Sequence, residues 1–206
     1  MSKRSSSKRW LQRQDSDLYV KRARAEGWRS RAVFKLIEIQ ERDRILRPSG
    51  RVLDLGAAPG AWSQYAVRSV GPSGLVIGVD LLPMDPIAGV ECIQGDFRDE
   101  EVYEEVVRTV GERGLDLVMS DMAPNISGTR AVDQPRSMYL AELSLDISGR
   151  ILRPGGAFVT KLFHGEGFDD FVRTTRDAFT AVKVRKPKAS RAQSRETYLV
   201  ATGFRL

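Results

Sequence analysis

Cysteine, histidine and long apolar runs are all scarce in this chain of 206 residues. The single cysteine, Cys92, excludes an internal disulfide, and its position beside Ile93 predicts a buried small side chain rather than a nucleophile or ligand. One histidine, His164, leaves no cluster to hold a metal, and we assign it no catalytic role. No stretch approaches the run of roughly 20 apolar residues that a membrane span needs, and the N-terminus lacks an apolar signal segment. We expect a cytoplasmic protein with no bound metal and no membrane association.

Acidic residues are scarce at the two ends of the chain. The formal net charge is +6, but residues 1–31 hold ten Lys/Arg against three Asp/Glu, and residues 183–206 hold seven against one. The segment between them is acidic overall. Basic flanks on an acidic body are typical of a nucleic-acid binder, although a solubilising tail is the simpler alternative. We predict a basic, partly disordered arm over residues 1–31 and one folded domain over residues 32–206.

Short apolar runs alternate with helical patterns from Arg51 onward. The runs predict seven strands, the first five of them buried and parallel, at 52–55, 75–80, 91–94, 115–119, 157–160, 182–185 and 198–201. Helices are predicted near 61–70, 100–110, 137–152 and 168–179, and Ser30 is the expected cap of a helix before the first strand. The predicted fold class is α/β, with a mostly parallel seven-stranded sheet, helices on both faces and a hairpin-like last pair of strands.

A glycine-rich turn, DLGAAPGAW at 54–62, leaves the first predicted strand and opens a helix. Gly56 and Gly60 allow a ligand to approach the backbone at the carboxyl edge of an open parallel sheet. The G-x-G-x-x-G spacing of a dinucleotide site is missing, which argues against NAD. The turn is of the kind that binds S-adenosylmethionine. Trp62 either walls this cofactor or packs in the core, and the sequence leaves both open.

Acidic residues follow successive predicted strands. Asp80 comes about 20 residues after the glycine turn, where a carboxylate bonds ribose hydroxyls in nucleoside-binding α/β folds. Asp96 follows the third strand and is predicted to accept a hydrogen bond from the adenine amino group. Either one alone could be a helix cap, but their recurrence at strand ends favours cofactor binding. Asp54, inside the first strand, either braces the glycine turn or contacts the methionine amine.

Four motifs carry a resemblance to a known family: DLGAAPG at 54–60, SDMAPN at 120–125, GEGF at 165–168 and VRKP at 184–187. The chain resembles the FtsJ-type ribosomal RNA 2′-O-methyltransferases over nearly its whole length. The resemblance implies a class I, Rossmann-like fold with S-adenosylmethionine as cofactor, so residues 32–206 would be the methyltransferase domain. It implies methylation of a uridine ribose 2′-hydroxyl in the A-loop of 23S rRNA, within the large ribosomal subunit during its maturation. We expect a monomer.

Motif matching to this family gives a catalytic tetrad of Lys35, Asp121, Lys161 and Glu196. A ribose hydroxyl is a poor nucleophile, so methyl transfer to it needs a positioned base and in-line alignment. Lys161 is the candidate base, although desolvation and Lys35 favour loss of its proton while Asp121 and Glu196 oppose it. A protonated Lys161 that only orients the hydroxyl, with Asp121 as base, stays open. Asp121 is also expected to contact the methionyl end of the cofactor.

Aromatic residues are interleaved with the cations of the N-terminal arm at Trp10, Tyr19 and Trp28, and such rings stack on RNA bases. Core packing is the alternative, and it stays open for Trp28. A second group of basic residues lies just before Glu196 in the sequence: Lys183, Arg185, Lys186, Lys188, Arg191 and Arg195. We expect the two basic ends to converge on the reacting sugar.

Two rival functions remain. An RNA base methyltransferase is the closer one, because residues 121–125, DMAPN, occupy the place where amino-directed enzymes have an Asn/Asp-Pro-Pro-aromatic motif, here without the second proline and the aromatic. A carbon-directed enzyme would need a nucleophilic cysteine, for which Cys92 is badly placed. A noncatalytic RNA-binding assembly factor would keep the basic ends but would not require the tetrad.

Overall fold

The computed structural model of the protein describes residues 17–191 and 193–205. Its helices are α1 (Leu18–Ala25), α2 (Val33–Asp43), α3 (Ala61–Val70), α4 (Glu100–Val110), α5 (Arg130–Ile151) and α6 (Phe168–Ala178). Its strands are β1 (Arg51–Leu55), β2 (Leu75–Asp80), β3 (Val90–Gln94), β4 (Leu115–Ser120), β5 (Leu152–Phe163), β6 (Phe179–Arg185) and β7 (Glu196–Phe204). Trp10 and most of the predicted basic arm lie outside the described residues.

The strands form one seven-stranded sheet in the order β3-β2-β1-β4-β5-β7-β6. The pairs among β1 to β5 are parallel, and β7 runs antiparallel to both of its neighbours, β5 and β6. The predicted fold class, a mostly parallel α/β sheet, is therefore confirmed. The last two strands do pair, but β7 enters the sheet between β5 and β6, so it lies directly beside the strand that carries Lys161.

Apolar side chains cover both faces of the sheet because successive strand residues point to opposite sides. In β1, Leu53 and Leu55 belong to the core cluster formed with α4, α5 and α6. Val52 belongs to the cluster on the other face, which includes Leu36 of α2 and Trp62 of α3. The helices therefore lie on both faces, as the buried strand pattern predicts.

Three local expectations differ from the structure. Helix α2 begins at Val33 after Ala32, so Ser30 is not at its cap position: the Ser30 hydroxyl accepts a hydrogen bond from the Ala32 amide at 3.2 Å, in the turn that leads into the helix. Cys92 is exposed, because β3 is the edge strand of the sheet and only Ile93 of its residues is buried. The pattern beside Ile93 was misleading since neighbours on a strand face opposite ways. Helix α5 also begins at Arg130, well before the predicted start, and includes Pro135.

The part of the predicted arm that the structure describes packs against the domain. Ala23 of α1 forms a small core cluster with Phe34 of α2, and the ring centroids of Tyr19 and Phe34 are 5.5 Å apart. Trp28 contacts Tyr65 of α3 at a ring distance of 6.0 Å. Residues 17–31 thus form a folded extension of the domain. Among the described residues, no helix is both long and apolar enough to span a bilayer.

The parallel strands β1, β2, β4 and β5 all end at the same edge of the sheet, which we call the carboxyl edge. In open parallel sheets, ligands bind at this edge because the loops that follow the strands meet there. Asp43, at the end of α2, ties this helix to β6, the edge strand at the opposite end of the sheet from β3. Its carboxylate accepts two hydrogen bonds from Arg185, at 2.8 and 2.6 Å. This contact fixes the helix that carries Lys35.

Candidate active site

The glycine turn lies at the carboxyl edge, between β1 and α3. The amides of Gly56 and Ala57 donate to the carbonyl of Val79 at 2.9 and 3.1 Å, which ties the turn to the end of β2. Gly56 has φ of +72°, and a Cβ there would approach Cγ of Met122 to 2.3 Å. Only glycine satisfies both the left-handed backbone and this close approach. The turn is thereby packed against the loop that follows β4.

A cleft of about 550 Å³ opens beside this turn. Its volume is within the range typical of small-molecule sites. It is lined by backbone at Gly56 and Ala58 and by the predicted site residues Asp80, Asp96 and Asp121. Apolar side chains complete the wall: Val79, Leu81, Leu82, Phe97, Met122, Leu140 and Leu143. Three carboxylates from three successive strand ends therefore share one cavity with an apolar lining.

Asp80 and Asp96 are held differently at the cleft. The carboxylate of Asp80 accepts hydrogen bonds from the Ala58 amide at 2.9 Å and the Leu82 amide at 2.8 Å, one on each oxygen. Each oxygen retains a further lone pair for a ligand hydroxyl. Asp96 instead forms an ion pair with Arg98, and the hydrogen bond from this guanidinium holds the pKa of the Asp96 carboxyl below its usual range. Motif reasoning missed Arg98, although it stands only two residues from Asp96.

Trp62 does not line the cleft. Its side chain is 2% exposed, its indole N–H donates to the carbonyl of Ala32 at 2.8 Å, and its ring lies 5.7 Å from that of Tyr198. It belongs to the core cluster between the sheet and helices α2 and α3. The structure thus favours the packing interpretation over the cofactor wall. Gly60, the other predicted cofactor glycine, has φ of +103° and faces Ile87 and Met84, so it shapes the turn without lining the cleft.

Asp54 is buried beneath the turn, where its carboxylate accepts a hydrogen bond from the Ser63 hydroxyl at 2.6 Å. It joins β1 to the first turn of α3 and so braces the loop between them. Burial raises the pKa of Asp54 to about 7, and the negative charges of Asp121 and Asp80 add to this effect. Bracing is one of the two roles that the sequence left open, and the contact with Ser63 supports it.

The four residues of the predicted tetrad meet at the carboxyl edge. Lys161 Nζ lies 2.8 Å from Asp121 Oδ1 and 4.0 Å from Glu196 Oε2. Lys35 Nζ lies 2.9 Å from Glu196 Oε1 and 3.7 Å from Asp121 Oδ1. Lys161 also donates to the backbone carbonyl of Asp121 at 2.6 Å. All four side chains are between 7% and 17% exposed, so two cations and two anions share one poorly hydrated site.

The two lysines keep both carboxylates ionised. Burial would raise the pKa of Asp121, but the charges of Lys161 and Lys35 outweigh it and hold the pKa below its usual range. The pKa of Glu196 is lowered in the same way, because Lys35 and Lys161 outweigh burial and the repulsion from Asp121. A carboxylate with a lowered pKa is a weaker base than a free one. The arrangement therefore disfavours Asp121 as a proton acceptor.

Tyr198 is a fifth member of this cluster that motif reasoning missed. Its hydroxyl donates to Asp121 and accepts from Lys35 Nζ at 2.9 Å, and burial raises its pKa well above the usual value. The signal was present in the chain, because residues two apart on a strand share a face, and Tyr198 follows Glu196 by two on β7. The hydroxyl links the helix α2 lysine to the loop after β4.

A second concavity, of about 600 Å³, adjoins the tetrad on its Glu196 side. It is lined by Tyr19, Arg31, Lys188 and Arg191, among others, and Ser190 connects it to the tetrad by donating to Glu196 Oε1 at 2.8 Å. Both basic ends of the chain thus meet beside the tetrad. Several predicted RNA-binding cations are already engaged: Arg31 by Asp17 and the carbonyl of Ala189, Lys183 and Arg185 by Asp43, and Lys186 by the carbonyl groups of Ser194 and Glu196. Trp28 lies under Arg68, whose guanidinium is 4.3 Å from the ring.

Comparison with known proteins agrees with this geometry. Residues 28–204 match the model of the FtsJ-like methyltransferase family. The chain belongs to the FtsJ-like methyltransferase family. A solved structure of a candidate ribosomal RNA methyltransferase from Plasmodium falciparum superposes with a TM-score of 0.74 at 29% identity, covering 86% of this chain and 98% of that one. A candidate rRNA methylase from Clostridium thermocellum shares the fold, with a TM-score of 0.56 at 17% identity over 80% of this chain and 96% of that one.

Family members generally use S-adenosylmethionine, and the cleft of this FtsJ-like chain fits that cofactor. The cleft combines apolar walls with a carboxylate, Asp80, whose remaining lone pairs suit ribose hydroxyls, and with the exposed backbone of the turn at Gly56. Asp121 lines the end of the cleft nearest the tetrad. When bound, the cofactor supplies a methyl group on a positively charged sulfur.

Replacing Trp62 by Phe distinguishes packing from cofactor binding in this FtsJ-like protein. The change removes the indole hydrogen bond to Ala32 and leaves a small void, so we expect a loss of about 1–3 kcal/mol in the free energy of unfolding. The affinity for S-adenosylmethionine, measured by calorimetry, should not change. Weaker cofactor binding by Trp62→Phe at undiminished stability would restore Trp62 as a wall of the cofactor site.

Replacing Asp54 by Asn tests the buried carboxyl. The folded protein holds its proton up to pH 7, whereas an unfolded aspartate loses it near pH 4, so Asp54 makes the wild type less stable as pH rises through this window, by up to about 1.4 kcal/mol per pH unit. In Asp54→Asn this contribution is absent. The difference between the two unfolding free energies, measured by denaturant titration, should change between pH 4 and 7 and level off above pH 8. Parallel curves throughout, like those expected for the exposed Asp85→Asn control, would contradict a raised pKa.

Proposed function

We propose that this protein transfers the methyl group of S-adenosylmethionine to the 2′-hydroxyl of a ribose in RNA. The observation that carries the proposal is the double position of Asp121, which lines the cofactor cleft and bonds Lys161 of the tetrad at 2.8 Å. A methyl donor bound in the cleft and a ribose hydroxyl bound at the tetrad would thus lie close together, with Asp121 in contact with both sites. Positioning of this kind supplies much of the rate of a two-substrate reaction.

The contacts of Lys161 support its role as the base. A neutral amine has two N–H groups and a lone pair, and Lys161 has two acceptors at close range, Oδ1 and the backbone carbonyl of Asp121. The lone pair would remain for the proton of the ribose hydroxyl. Lys35 Nζ lies 2.9 Å from Glu196 and 3.7 Å from Asp121, so the two carboxylates have a second cation beside them. Asp121, with its lowered pKa, serves to orient Lys161 rather than to accept the proton.

A base methyltransferase is less well supported by the site. Residues 121–125 lack the second proline and the aromatic with which amino-directed enzymes hold a base. Cys92 lies on the exposed edge strand β3 and does not line the cleft, so it cannot act as the nucleophile of a carbon-directed enzyme. The tetrad, with two lysines and two carboxylates, offers a proton acceptor for a hydroxyl instead.

The proposed substrate is a uridine in the A-loop of 23S rRNA, within the large ribosomal subunit. The concavity beside Glu196 supports an RNA ligand, because Lys188 and Arg191 line it and such cations suit phosphate groups, while Arg31 in its wall is paired with Asp17. The names of the two structural relatives, both rRNA methyltransferase candidates, agree with this substrate class. The uridine and the A-loop come from the family resemblance. We propose that the protein acts as a monomer.

Asp80 is proposed to bind the cofactor ribose. In Asp80→Asn, an NH₂ group that cannot accept a hydrogen bond replaces one carboxylate oxygen. We therefore expect the dissociation constant for S-adenosylmethionine to rise about 10- to 100-fold, as for loss of a hydrogen bond to a charged group. Calorimetric titration of the purified protein measures it. Asp85→Asn, on the exposed loop after β2, is the matched control and should bind normally. An unchanged dissociation constant in Asp80→Asn would remove the ribose role.

Lys161 is tested by two substitutions. Both Lys161→Ala and Lys161→Arg should lower kcat by about 10²- to 10⁴-fold, since neither provides a base at neutral pH, while cofactor affinity survives. Arginine keeps the positive charge, so near-parent turnover in Lys161→Arg would show that the side chain acts only as a cation. Arg173→Ala, which removes an exposed cation of α6 paired with Asp170, is the control and should turn over normally.

The site of methylation decides among the functions. Purified enzyme is supplied with radiolabelled S-adenosylmethionine and large ribosomal subunits that lack the modification, and the labelled rRNA is hydrolysed with alkali. A 2′-O-methyl group blocks cleavage of the following phosphodiester, so label in an alkali-resistant dinucleotide supports the proposal. Label in single nucleotides would indicate base methylation. RNA binding with no label in the rRNA would indicate the assembly factor.

A further inference from the structure

Four arginines surround a small concavity at the amino edge of the sheet, opposite the active site. Its volume is about 170 Å³, and its arginines are Arg47, Arg51, Arg113 and Arg153, with a single carboxylate, Asp116, among them. They come from the starts of three neighbouring parallel strands, because Arg51 and Arg153 lie at the beginning of β1 and β5 and Arg113 precedes β4. We call this feature the arginine pocket. Its lining carries a net charge of +3.

Two of these arginines are anchored. Arg51 donates from Nε to the carbonyl of Gly114 at 3.0 Å and from Nη2 to that of Val110. Arg153 donates to Asp116 Oδ1, from Nε at 2.7 Å, while Asp116 Oδ2 accepts the backbone amide of Arg51 at 2.9 Å. The one carboxylate of the pocket is therefore fully engaged by Arg153 and the β1 backbone, and it leaves the other cations uncompensated.

The other two arginines, Arg47 and Arg113, are exposed and contact no carboxylate among the described residues. The backbone that carries Arg47 is nevertheless fixed, because the Gly50 amide donates to the Arg47 carbonyl at 3.0 Å and the Ser49 amide to the Val70 carbonyl at 2.7 Å. A further concavity shares Arg47 and adds Arg44, but Glu41 and Asp43 also line it, so the excess of positive charge is confined to the arginine pocket. Unpaired guanidinium groups, each with a planar fork of donors, are thus available to an anion at this pocket.

The arginine pocket is separate from the tetrad. Strand β4 runs from this edge to the carboxyl edge, and the chain from Arg113 to Asp121 spans roughly 25 Å at the usual rise of a strand. An RNA that contacts both sites must span at least this distance, which a long folded RNA does more readily than a short hairpin of the target loop.

We propose that the arginine pocket binds phosphodiester groups of a second RNA segment while the target nucleotide lies at the tetrad. This inference rests on the proposed function, because it takes RNA as the ligand. Arginine, rather than lysine, provides a planar fork that bonds two phosphate oxygens at once, and all four cations of the pocket are arginines. The lining has no exposed large apolar side chain to enter a lipid bilayer, which disfavours an anionic membrane as the occupant.

The test uses the full chain with Arg47→Gln and Arg113→Gln combined. Neither side chain has a partner in the described structure, so the thermal unfolding midpoint should not move. The matched control combines Arg173→Gln and Arg176→Gln on the exposed face of α6, which removes the same charge elsewhere. Binding is measured without cofactor at several salt concentrations, once to a long 23S rRNA fragment and once to a short hairpin of the target loop.

We expect the pocket variant to bind the long RNA about tenfold more weakly than the wild type does. The slope of log affinity against log salt should be smaller in magnitude by about 2, and the affinity for the hairpin should equal that of the wild type. Wild-type affinity and slope for the long RNA would overturn the proposal. An equal loss in the α6 control, or an equal loss with the hairpin, would also overturn it by showing a general charge effect. Weaker binding to assembled subunits, with normal binding to naked rRNA, would assign the pocket to an acidic protein. These measurements detect no methyl transfer, so failure of the proposed function does not affect them.

Discussion

The balance of charge around Asp121 is the interaction on which the active site depends. Two lysines and two carboxylates lie largely out of water, and each is tolerated only because the opposite charges are within hydrogen-bond distance. Removing one member leaves an uncompensated buried charge, which typically costs about 3–5 kcal/mol. The same balance sets the chemistry, since it keeps both carboxylates ionised and therefore weakly basic. In the proposed reaction, this balance leaves the proton of the ribose hydroxyl to a lysine.

The topology of the sheet explains how these charges meet. Asp121 follows β4, and Lys161 lies near the end of β5, so parallel pairing brings both to the carboxyl edge. Glu196 and Tyr198 arrive from the opposite direction, because β7 is antiparallel and begins where β5 ends. Lys35 comes from α2, before the sheet begins. A single reversed strand thus completes a site that parallel strands alone would leave open on one side.

Sequence motifs predicted which residues form the site better than they predicted the contacts that these residues make. The glycine turn and Asp80 were placed at the carboxyl edge by their positions after predicted strands, and the tetrad was assigned by motif matching to the family; the structure brings all of them to that edge. Trp62 could not be assigned from sequence, because an aromatic in the first turn of a helix faces either the ligand or the core depending on what packs above it. Cys92 was predicted to be buried, but the sequence does not show which strand is the edge strand, and an edge strand exposes one face.

The sequence by itself determined the class of fold, the loop that forms the cofactor cleft and the identity of the four charged residues, because these follow from local periodicity and from short motifs. Tertiary structure decided the rest: that Tyr198 joins Lys35 to Asp121, that Arg98 engages Asp96, and that four arginines from three separate segments of the chain surround one pocket. These contacts join residues from separate strands and helices. They depend on the order and direction of strands in the sheet, which long-range packing selects and no local pattern encodes.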